Sequence, residues 1–385
     1  MVDVERARRY TRTKERLGLL SVALGLLAGA LFVFSGLARR VARRLLPRRG
    51  STVRTRATYA GVLGLASWLA GLPLAYLNGY VVEHRYGLSR QTRAAWFGDQ
   101  LKGQAIGMAL ALPLTEGLHQ IIRRFPRWWW LVVSLAAVPL TAVMAHLYPV
   151  LIAPRFNTFT PLEDRELAAR LRELASHSGV EVADVMTMDM SRRTTKANAF
   201  FTGLGRTKRI VLGDTLLEHF SPEEIEIVVA HELAHQANRD IWRMIASSAF
   251  LTLGTAALAD RAARAFLRRS GARLLGTRDL ADIRALPILG LAFSAAGLLL
   301  TPLQLGYSRD LERRADAFAL ALTRDPDAFS SAMVKLGKLN LADPAPSRLR
   351  VWLLYSHPPI VERVARADAV RPLDQAHRER DTPPE

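Results

Sequence analysis

The segment His231-Glu232-Leu233-Ala234-His235 combines two imidazoles and a carboxylate at a spacing that supports hydrolytic chemistry. On an α-helix, residues four positions apart lie on the same side, so both histidines can bind one metal ion. Glu232 lies one position further round, where its carboxylate can contact a water molecule at an open coordination position. Zinc lowers the pKa of such a water, and the carboxylate accepts its proton as the water attacks a carbonyl carbon. The pattern favours a zinc site with Glu232 as general base over a polar helix face with incidental histidines.

A catalytic zinc site needs a third protein ligand, which must come from elsewhere in the chain. The longer H-E-x-x-H-x-x-G-x-x-H pattern is absent, because Asn238 and Ile241 occupy the positions of its glycine and third histidine. The chain has no cysteine, so the ligands must be histidines and carboxylates. We predict that Glu312 is the third ligand. Glu312 follows one long apolar segment, and His231 precedes another. Antiparallel packing of these two segments would bring both residues to one membrane face. Asp316, one turn later, is expected to orient a ligand histidine. Without the need for a third ligand, this segment would be interpreted as a solvated charged helix.

The motif lies inside a helix with a clear start signal. Ser221 and Glu224 have capping-box spacing around Pro222. Nothing up to Ala259 breaks the pattern, which predicts one continuous helix of about 57 Å at about 1.5 Å per residue.

The region between about 153 and 221 is typical of a small soluble α+β unit. Thr160, followed by Pro161, predicts a helix start, and Gly179 predicts the end of that helix. Three strand-like runs follow at 180–188, 197–201 and 209–212, with a turn at Gly203 and Gly205.

Two further segments could contact a substrate. Residues 196–201 are consistent with an exposed edge strand that pairs with an extended peptide, and equally with an ordinary strand inside a sheet. Ser356-His357-Pro358-Pro359 places a histidine in a rigid, non-helical turn. His357 could stabilise an oxyanion, although a histidine among prolines is more often an ordinary loop residue.

The composition of the chain indicates a membrane protein. Half of its 385 residues are hydrophobic although 23% are charged, and the mean hydropathy is +0.08. Apolar and charged residues therefore occupy separate segments. Six apolar segments are each about 20 residues long, enough for a helix to cross about 30 Å of hydrocarbon. They are 17–37, 59–82, 101–122, 128–152, 241–259 and 286–305. Their arginine, tryptophan and tyrosine flanks argue against buried helices of a soluble protein, and the arginines after the first segment argue against a cleaved signal peptide.

The formal net charge of +18 does not indicate a nucleic-acid partner. The arginines cluster at the ends of the apolar segments, where they face anionic lipid headgroups. The sequence thus predicts a mainly α, multi-spanning helical membrane protein with about six spans and a small α+β zinc-metalloprotease domain. We assign 1–152 to four spans, 153–370 to the protease domain with the spans at 241–259 and 286–305, and 371–385 to a disordered tail. The basic residues on the two sides of the first span are nearly balanced, so charge alone does not orient the protein.

Taken together in order along the chain, these motifs resemble those of the membrane-embedded zinc CAAX prenyl proteases, which remove the last three residues of prenylated proteins. The resemblance extends from about 63 to 363. It includes Gly71-Leu72-Pro73 with Tyr76 and Asn78, Tyr148-Pro149, Phe159-Thr160-Pro161-Leu162, Asn198-Ala199-Phe200-Phe201, Lys208 to Leu212, Asp214 to Leu217, the H-E-x-x-H motif, Glu312 to Ala317, and His357-Pro358-Pro359 with Glu362-Arg363.

The resemblance implies a role for each matching residue. His231, His235 and Glu312 bind one zinc ion per chain, Glu232 is the general base, and Asp316 supports a ligand. Asn198, Ala199 and Phe200 form a substrate-binding edge, and His357 and Arg363 contact the substrate or its oxyanion. The family further implies a water-filled chamber between the spans, lined by polar residues of the catalytic helix, with the zinc site toward the cytosol.

The chain also differs from the eukaryotic members of the family. We expect six spans, without their additional N-terminal span, and the sequence has no long insertion between the equivalents of Leu217 and Pro222. This short, arginine-rich form is typical of a bacterial member, which we expect in the cytoplasmic membrane. Because bacteria generally lack prenylated CAAX proteins, the natural substrate is expected to differ.

Three hypotheses for the function follow from the sequence. The first is an endopeptidase that processes membrane-associated or CAAX-like protein substrates, with or without a lipid group. The second is a quality-control protease that degrades damaged membrane proteins with the same zinc chemistry. The third is a non-catalytic membrane scaffold or transporter, against which the retained Glu232 argues. The sequence leaves the oligomeric state open.

Overall fold

The spanning helices dominate the computed structural model, which describes residues 4–47, 51–203 and 208–371. Within these residues, five helices are long and apolar enough to cross a membrane: Val4–Phe34, Val53–Arg85, Arg93–Arg124, Asp240–Leu274 and Ile283–Thr323. Trp129–Ala145 and Tyr148–Arg155, bent by 42° at their junction, bring the number to six if they form one span. The prediction of a mainly α protein with about six spans is confirmed. The predicted turn residue Gly205 and the predicted tail after Arg371 lie outside the described residues.

The N-terminal helices are α1 (Val4–Phe34), α2 (Leu37–Leu45), α3 (Val53–Tyr76), α4 (Val82–Arg85), α5 (Arg93–Arg124) and α6 (Trp129–Leu147). The α+β unit follows with β1 (Phe159–Pro161), α7 (Arg165–His177), β2 (Asp184–Met188), β3 (Ala199–Thr202), β4 (Arg209–Gly213), α8 (Asp214–His219) and α9 (Pro222–Ala237). The last elements are α10 (Asp240–Phe266), α11 (Ala272–Leu274), α12 (Leu286–Thr323), α13 (Pro326–Leu339), α14 (Arg348–Leu354) and α15 (Ile360–Asp368).

Helix α10 packs against both α6 and α12. Small residues on its buried face, Ala256, Ala259 and Ala263, allow the close approach. The indole Nε1 of Trp129 at the start of α6 donates a hydrogen bond of 2.6 Å to Asp260 of α10. Helix α12 also packs against α9, which brings Glu312 of α12 next to His231 near the end of α9.

The four strands form one sheet in the order β1-β2-β4-β3. Strands β2 and β4 are parallel, and the other two pairs are antiparallel. Strand β3 therefore lies at an edge of the sheet, as one of the two interpretations of residues 196–201 required. Leu171 of α7, Leu212 of β4 and Leu233 of α9 belong to the same buried core, which fixes the catalytic helix on the sheet.

Two helix boundaries differ from the sequence prediction. Thr160 and Pro161 lie in β1, and the following helix starts at Arg165, where the Asp164 side chain accepts a hydrogen bond from the Leu167 backbone N–H. The predicted continuous helix up to Ala259 is also wrong. It breaks between Ala237 and Asp240, because Arg239 adopts a left-handed conformation with φ of 55°. The chain thus changes direction directly after the motif.

Candidate active site

Helix α9 presents the motif from a rigid position. Its capping box is complete, because the Ser221 Oγ accepts from the Glu224 N–H and the Glu224 carboxylate accepts from the Ser221 N–H. Val229 and Leu233 are completely buried on the opposite side of the helix. The helix therefore has little freedom to rotate, and His231 and His235 share one face as the spacing predicts.

Glu312 of α12 lies between the two motif histidines. Its Oε2 is 3.1 Å from the Nε2 of His231, and its Oε1 is 3.6 Å from the Nε2 of His235. One ligand atom from each of the three side chains lies within 4.8 Å of the others. Glu312 thus reaches the motif from 81 residues away in the chain.

Each motif histidine contacts a carboxylate through its other ring nitrogen. The Nδ1 of His231 is 3.0 Å from Asp316 Oδ1, and the Nδ1 of His235 is 2.9 Å from Asp240 Oδ2. Such a carboxylate fixes the ring orientation and makes Nε2 the metal-facing atom. Asp316 appears among the sequence predictions in this role, but Asp240 does not. The helix break at Arg239 allows Asp240 to contact His235, and no sequence signal marks that break.

The carboxylates around His231 change its proton affinity. Burial lowers the pKa of His231, but its hydrogen bonds with Asp316 and Glu312 outweigh burial and raise the pKa to about 9. The guanidinium of Arg363 binds Asp316 from the outer side, with Nε 3.0 Å from Oδ2. Asp316 is thus held between Arg363 and His231, and its side chain is completely buried.

Glu232 faces a groove of about 360 Å³ that it shares with His231, Asn198 and Ala199. Its carboxylate has no hydrogen bond to any residue that the structure describes, which leaves it available to a water molecule or substrate. Burial raises the pKa of Glu232, and the charges of His231 and His235 oppose this increase. A raised pKa suits a carboxylate that must accept a proton near neutral pH.

The predicted substrate residues divide between the groove and its surroundings. Asn198, Ala199, His357 and Arg363 all line the groove. Phe200 lies further along β3 and is not part of this lining. The predicted substrate contact of Arg363 remains a prediction, because its guanidinium already binds Asp316.

His357 lies at the groove above the metal-binding residues. Its Nε2 is 3.3 Å from Glu312 Oε2, and 60% of its side chain is exposed. The surrounding protein lowers the pKa of His357 through desolvation, which the charge of Glu312 opposes. The turn that carries it is fixed, because Arg309 donates a hydrogen bond of 2.6 Å to the Tyr355 carbonyl. No sequence pattern marks Arg309 as a support of this turn.

The geometry of these side chains fits a metal ion. Two Nε2 atoms and a carboxylate converge, while each Nδ1 is occupied by a second carboxylate, the usual arrangement around catalytic zinc. The donor set of nitrogen and oxygen also fits zinc better than Mg²⁺ or Ca²⁺, which prefer oxygen ligands.

Comparison with known proteins agrees with this geometry. Residues 161–371 match Peptidase family M48, and residues 2–158 match the family described as CAAX prenyl protease N-terminal, five membrane helices. The chain belongs to peptidase family M48 and is a multi-pass membrane zinc metalloprotease of the type that contains the CAAX prenyl proteases.

Individual relatives cover almost the whole chain. A metalloprotease of Bacillus subtilis, YhfN, is 30% identical over 94% of this chain and 84% of its own length. CAAX prenyl protease 1 of Saccharomyces cerevisiae is also 30% identical, over 95% of this chain and 85% of its own. The crystal structure of S. mikatae Ste24p superposes with a TM-score of 0.81 at 28% identity, covering 95% of this chain and 89% of that one.

Proposed function

We propose that this protein is an integral-membrane endopeptidase that uses one zinc ion, held by His231, His235 and Glu312, to cleave protein substrates near their C-termini. The observation that carries this proposal is the convergence of these three side chains, with Asp316 and Asp240 behind the two imidazoles. When bound, zinc polarises the scissile carbonyl and lowers the pKa of the attacking water. A non-catalytic scaffold would require neither this arrangement nor a Glu232 carboxylate that forms no hydrogen bond within the described part of the chain.

Glu232, His357 and strand β3 have separate roles in the proposed hydrolysis. Glu232 accepts the proton of the attacking water and then donates a proton to the leaving amine. His357, with Nε2 aimed at the metal-binding residues, donates a hydrogen bond to the oxygen on which negative charge develops. Strand β3 binds the substrate as an added strand, with Asn198 beside the scissile bond.

The proposed substrates are membrane-associated proteins, with or without a lipid group, that are processed in a CAAX-like manner. The support comes from relatives named CAAX prenyl protease 1 in yeast and CAAX prenyl protease 1 homolog in Arabidopsis thaliana. A quality-control protease would use the same residues and differ in substrate. Comparing cleavage of farnesylated and unmodified peptides of one sequence measures the contribution of the lipid, and failure to cleave either peptide near its C-terminus would contradict CAAX-like processing.

Removal of the metal is expected to abolish peptidase activity reversibly. Treatment with phenanthroline should lower the zinc content from one ion per chain to near zero, and activity should fall in proportion. Added zinc should restore both, because the capping box and the buried core hold α9 in place. Metal analysis and peptide hydrolysis on the same samples check this expectation. Activity that persists in zinc-free protein would contradict the mechanism.

Substitution Asn198→Ala is expected to lower kcat/KM by about tenfold, the effect of one lost hydrogen bond to a substrate. Zinc content and melting temperature should not change, because the Asn198 backbone carbonyl, and not its side chain, accepts from the Gly213 N–H within the sheet. Asn157→Ala, in a loop outside the groove, is the matched control. A structure with a peptide bound to an element other than β3 would contradict the role of this strand.

We further propose that the protein resides in a bacterial cytoplasmic membrane with the zinc site on the cytoplasmic side, as the family resemblance implies. Because the chain has no cysteine, single cysteines can report the orientation. Glu173 is an exposed residue of α7. Glu173→Cys should react with a membrane-impermeant thiol reagent only after the membrane has been permeabilised. Ala272→Cys, at the opposite membrane face, should react in intact cells. The reverse pattern would contradict this orientation.

A further inference from the structure

We propose that a basic pocket beside the first turns of α5 binds the phosphate group of an anionic phospholipid. The pocket has a volume of about 390 Å³. Its walls are α5, the loop before α5, and Arg155, Arg192 and Arg193 from the region that follows α6. This inference goes beyond the proposed function, because it concerns a membrane lipid and not the peptide that is cleaved.

Positive charge dominates the lining of the basic pocket. Its cationic side chains are Arg90, Lys102, Arg155, Arg192 and Arg193, and its anionic side chain is Asp99. Asp99 already pairs with Arg193, with Oδ2 3.1 Å from Nη1. Within the described part of the chain, Arg90, Lys102 and Arg155 form no ion pair. These three positive charges are therefore uncompensated, which favours an anionic ligand.

One face of α5 forms a wall of the basic pocket. Ala95, Gly98, Asp99 and Lys102 line it, and their spacing of three and four residues places them on one side of the helix. Gly98 leaves the middle of this face open, since a Cβ atom there would have no heavy atom from elsewhere in the structure within 4 Å. The positive end of the helix dipole at the start of α5 adds to the attraction for an anion.

Lys102 lies where the apolar segment of this spanning helix begins. That segment starts at Leu101, and Lys102 forms neither a hydrogen bond nor an ion pair with any residue that the structure describes. A charged side chain in a membrane span is costly and usually has a partner with a function. Its long aliphatic stem can follow the apolar surface while the ammonium group extends to the membrane interface. A lipid phosphate at that interface would supply the missing partner.

Aromatic and aliphatic side chains beside the basic pocket fit the remainder of a lipid molecule. Trp96 and Phe97 of α5 contact Tyr76 of α3, with ring centroids 5.3 and 5.6 Å apart, and Trp and Tyr are enriched at membrane interfaces. Phe97 and Leu101 are 41% and 60% exposed, so they offer apolar surface to an acyl chain. A soluble phosphate would use none of these contacts. The surroundings of the pocket therefore favour a phospholipid over a free anion.

The test uses the full-length, zinc-containing protein in neutral detergent micelles with spin-labelled phosphatidylglycerol. The chain has no cysteine, so Ala94→Cys can carry a single fluorophore, at an exposed position of α5 outside the pocket lining. We expect the spin label to quench this fluorophore. Unlabelled phosphatidylglycerol should relieve the quenching at a concentration at least about tenfold lower than phosphatidylcholine, because basic side chains attract anionic headgroups. Inorganic phosphate at the same concentration should not relieve it.

Three variants of the labelled protein separate the pocket from general surface charge. Arg90→Gln with Lys102→Gln should weaken binding of phosphatidylglycerol at least about tenfold. Arg165→Gln with Arg172→Gln removes the same charge from exposed positions of α7 and should leave the affinity unchanged. Gly98→Leu retains every charge but fills the pocket, so it should also weaken binding. Zinc content and melting temperature establish that each variant is folded, and Lys102→Gln alone replaces the first variant if that one does not fold.

Absence of quenching, or equal affinity for phosphatidylglycerol and phosphatidylcholine, would overturn the proposal. Unchanged affinity in the folded Arg90 and Lys102 variant would overturn it as well. Relief of quenching by inorganic phosphate as effective as that by phosphatidylglycerol would indicate a site for free anions and contradict a lipid ligand. Weaker binding in the charge variant but not in Gly98→Leu would assign the effect to diffuse surface charge and overturn the pocket. Binding is measured without a peptide, so failure of the proposed function would not change these results.

Discussion

Substitution Glu232→Gln is expected to lower turnover by about 10² to 10⁴, the usual contribution of a positioned general base. The amide has nearly the size and shape of the carboxylate, but it cannot accept the proton of the attacking water. His231, His235 and Glu312 are unchanged, so zinc content should remain at one ion per chain. Turnover of a CAAX-type peptide and metal analysis of the same preparation measure both quantities.

Glu226→Gln is the matched control for this prediction. Glu226 lies on the same helix and forms an ion pair with Arg170, at 2.7 Å, outside the groove. Its substitution should leave turnover near that of the wild type. Near-normal turnover of Glu232→Gln would contradict the assignment of the base, and loss of zinc from this variant would instead indicate that Glu232 is a ligand.

Substitutions of Glu312 and His357 are expected to lower activity in different ways, one through loss of zinc and the other through turnover alone. Glu312→Ala removes one of three protein ligands, so both zinc occupancy and turnover should fall. His357→Ala should retain full zinc content and similar substrate binding while turnover falls about 100- to 1,000-fold, equivalent to about 2.7–4 kcal/mol of lost oxyanion stabilisation. Zinc content, KM, kcat and melting temperature on both variants test this difference.

The short distance between His357 and Glu312 makes this comparison informative. Their closest atoms are 3.3 Å apart, so both side chains lie within reach of one ion. If His357→Ala loses zinc while Glu312→Ala keeps it, the two roles must be exchanged. A structural role for the turn predicts a third result, a lower melting temperature with normal turnover of the folded fraction.

The sequence was most informative where local signals determine the structure. The capping box at Ser221 and Glu224 marked the start of the catalytic helix correctly, because the cap, the proline and the motif all lie within one helix. The long apolar segments marked the spans for a similar reason, since length and composition suffice. Glu312 could be selected because two neighbouring spans must place their polar ends at one membrane face.

Features that depend on tertiary contacts were not predicted. Arg239 adopts a positive φ without a glycine or asparagine at that position, so the helix break that allows Asp240 to contact His235 had no sequence signal. Thr160 resembles an N-cap, yet it lies opposite Thr187 of β2, a partner that no local pattern indicates. Asn340 bonds to Ala197 across 143 residues, which explains why its contact with the edge strand emerged only from the structure.

X-ray absorption at the zinc edge tests the central claim most directly, because it counts the atoms bound to the ion in the purified protein. The proposed site predicts two imidazole nitrogens at about 2.0–2.1 Å and carboxylate or water oxygens at about 2.0–2.2 Å. Glu312→Ala should lose the ordered coordination sphere, and Glu232→Gln should keep it. A sphere with three imidazoles would place His357 on the metal, and together with an unchanged spectrum for Glu312→Ala it would contradict the site proposed here.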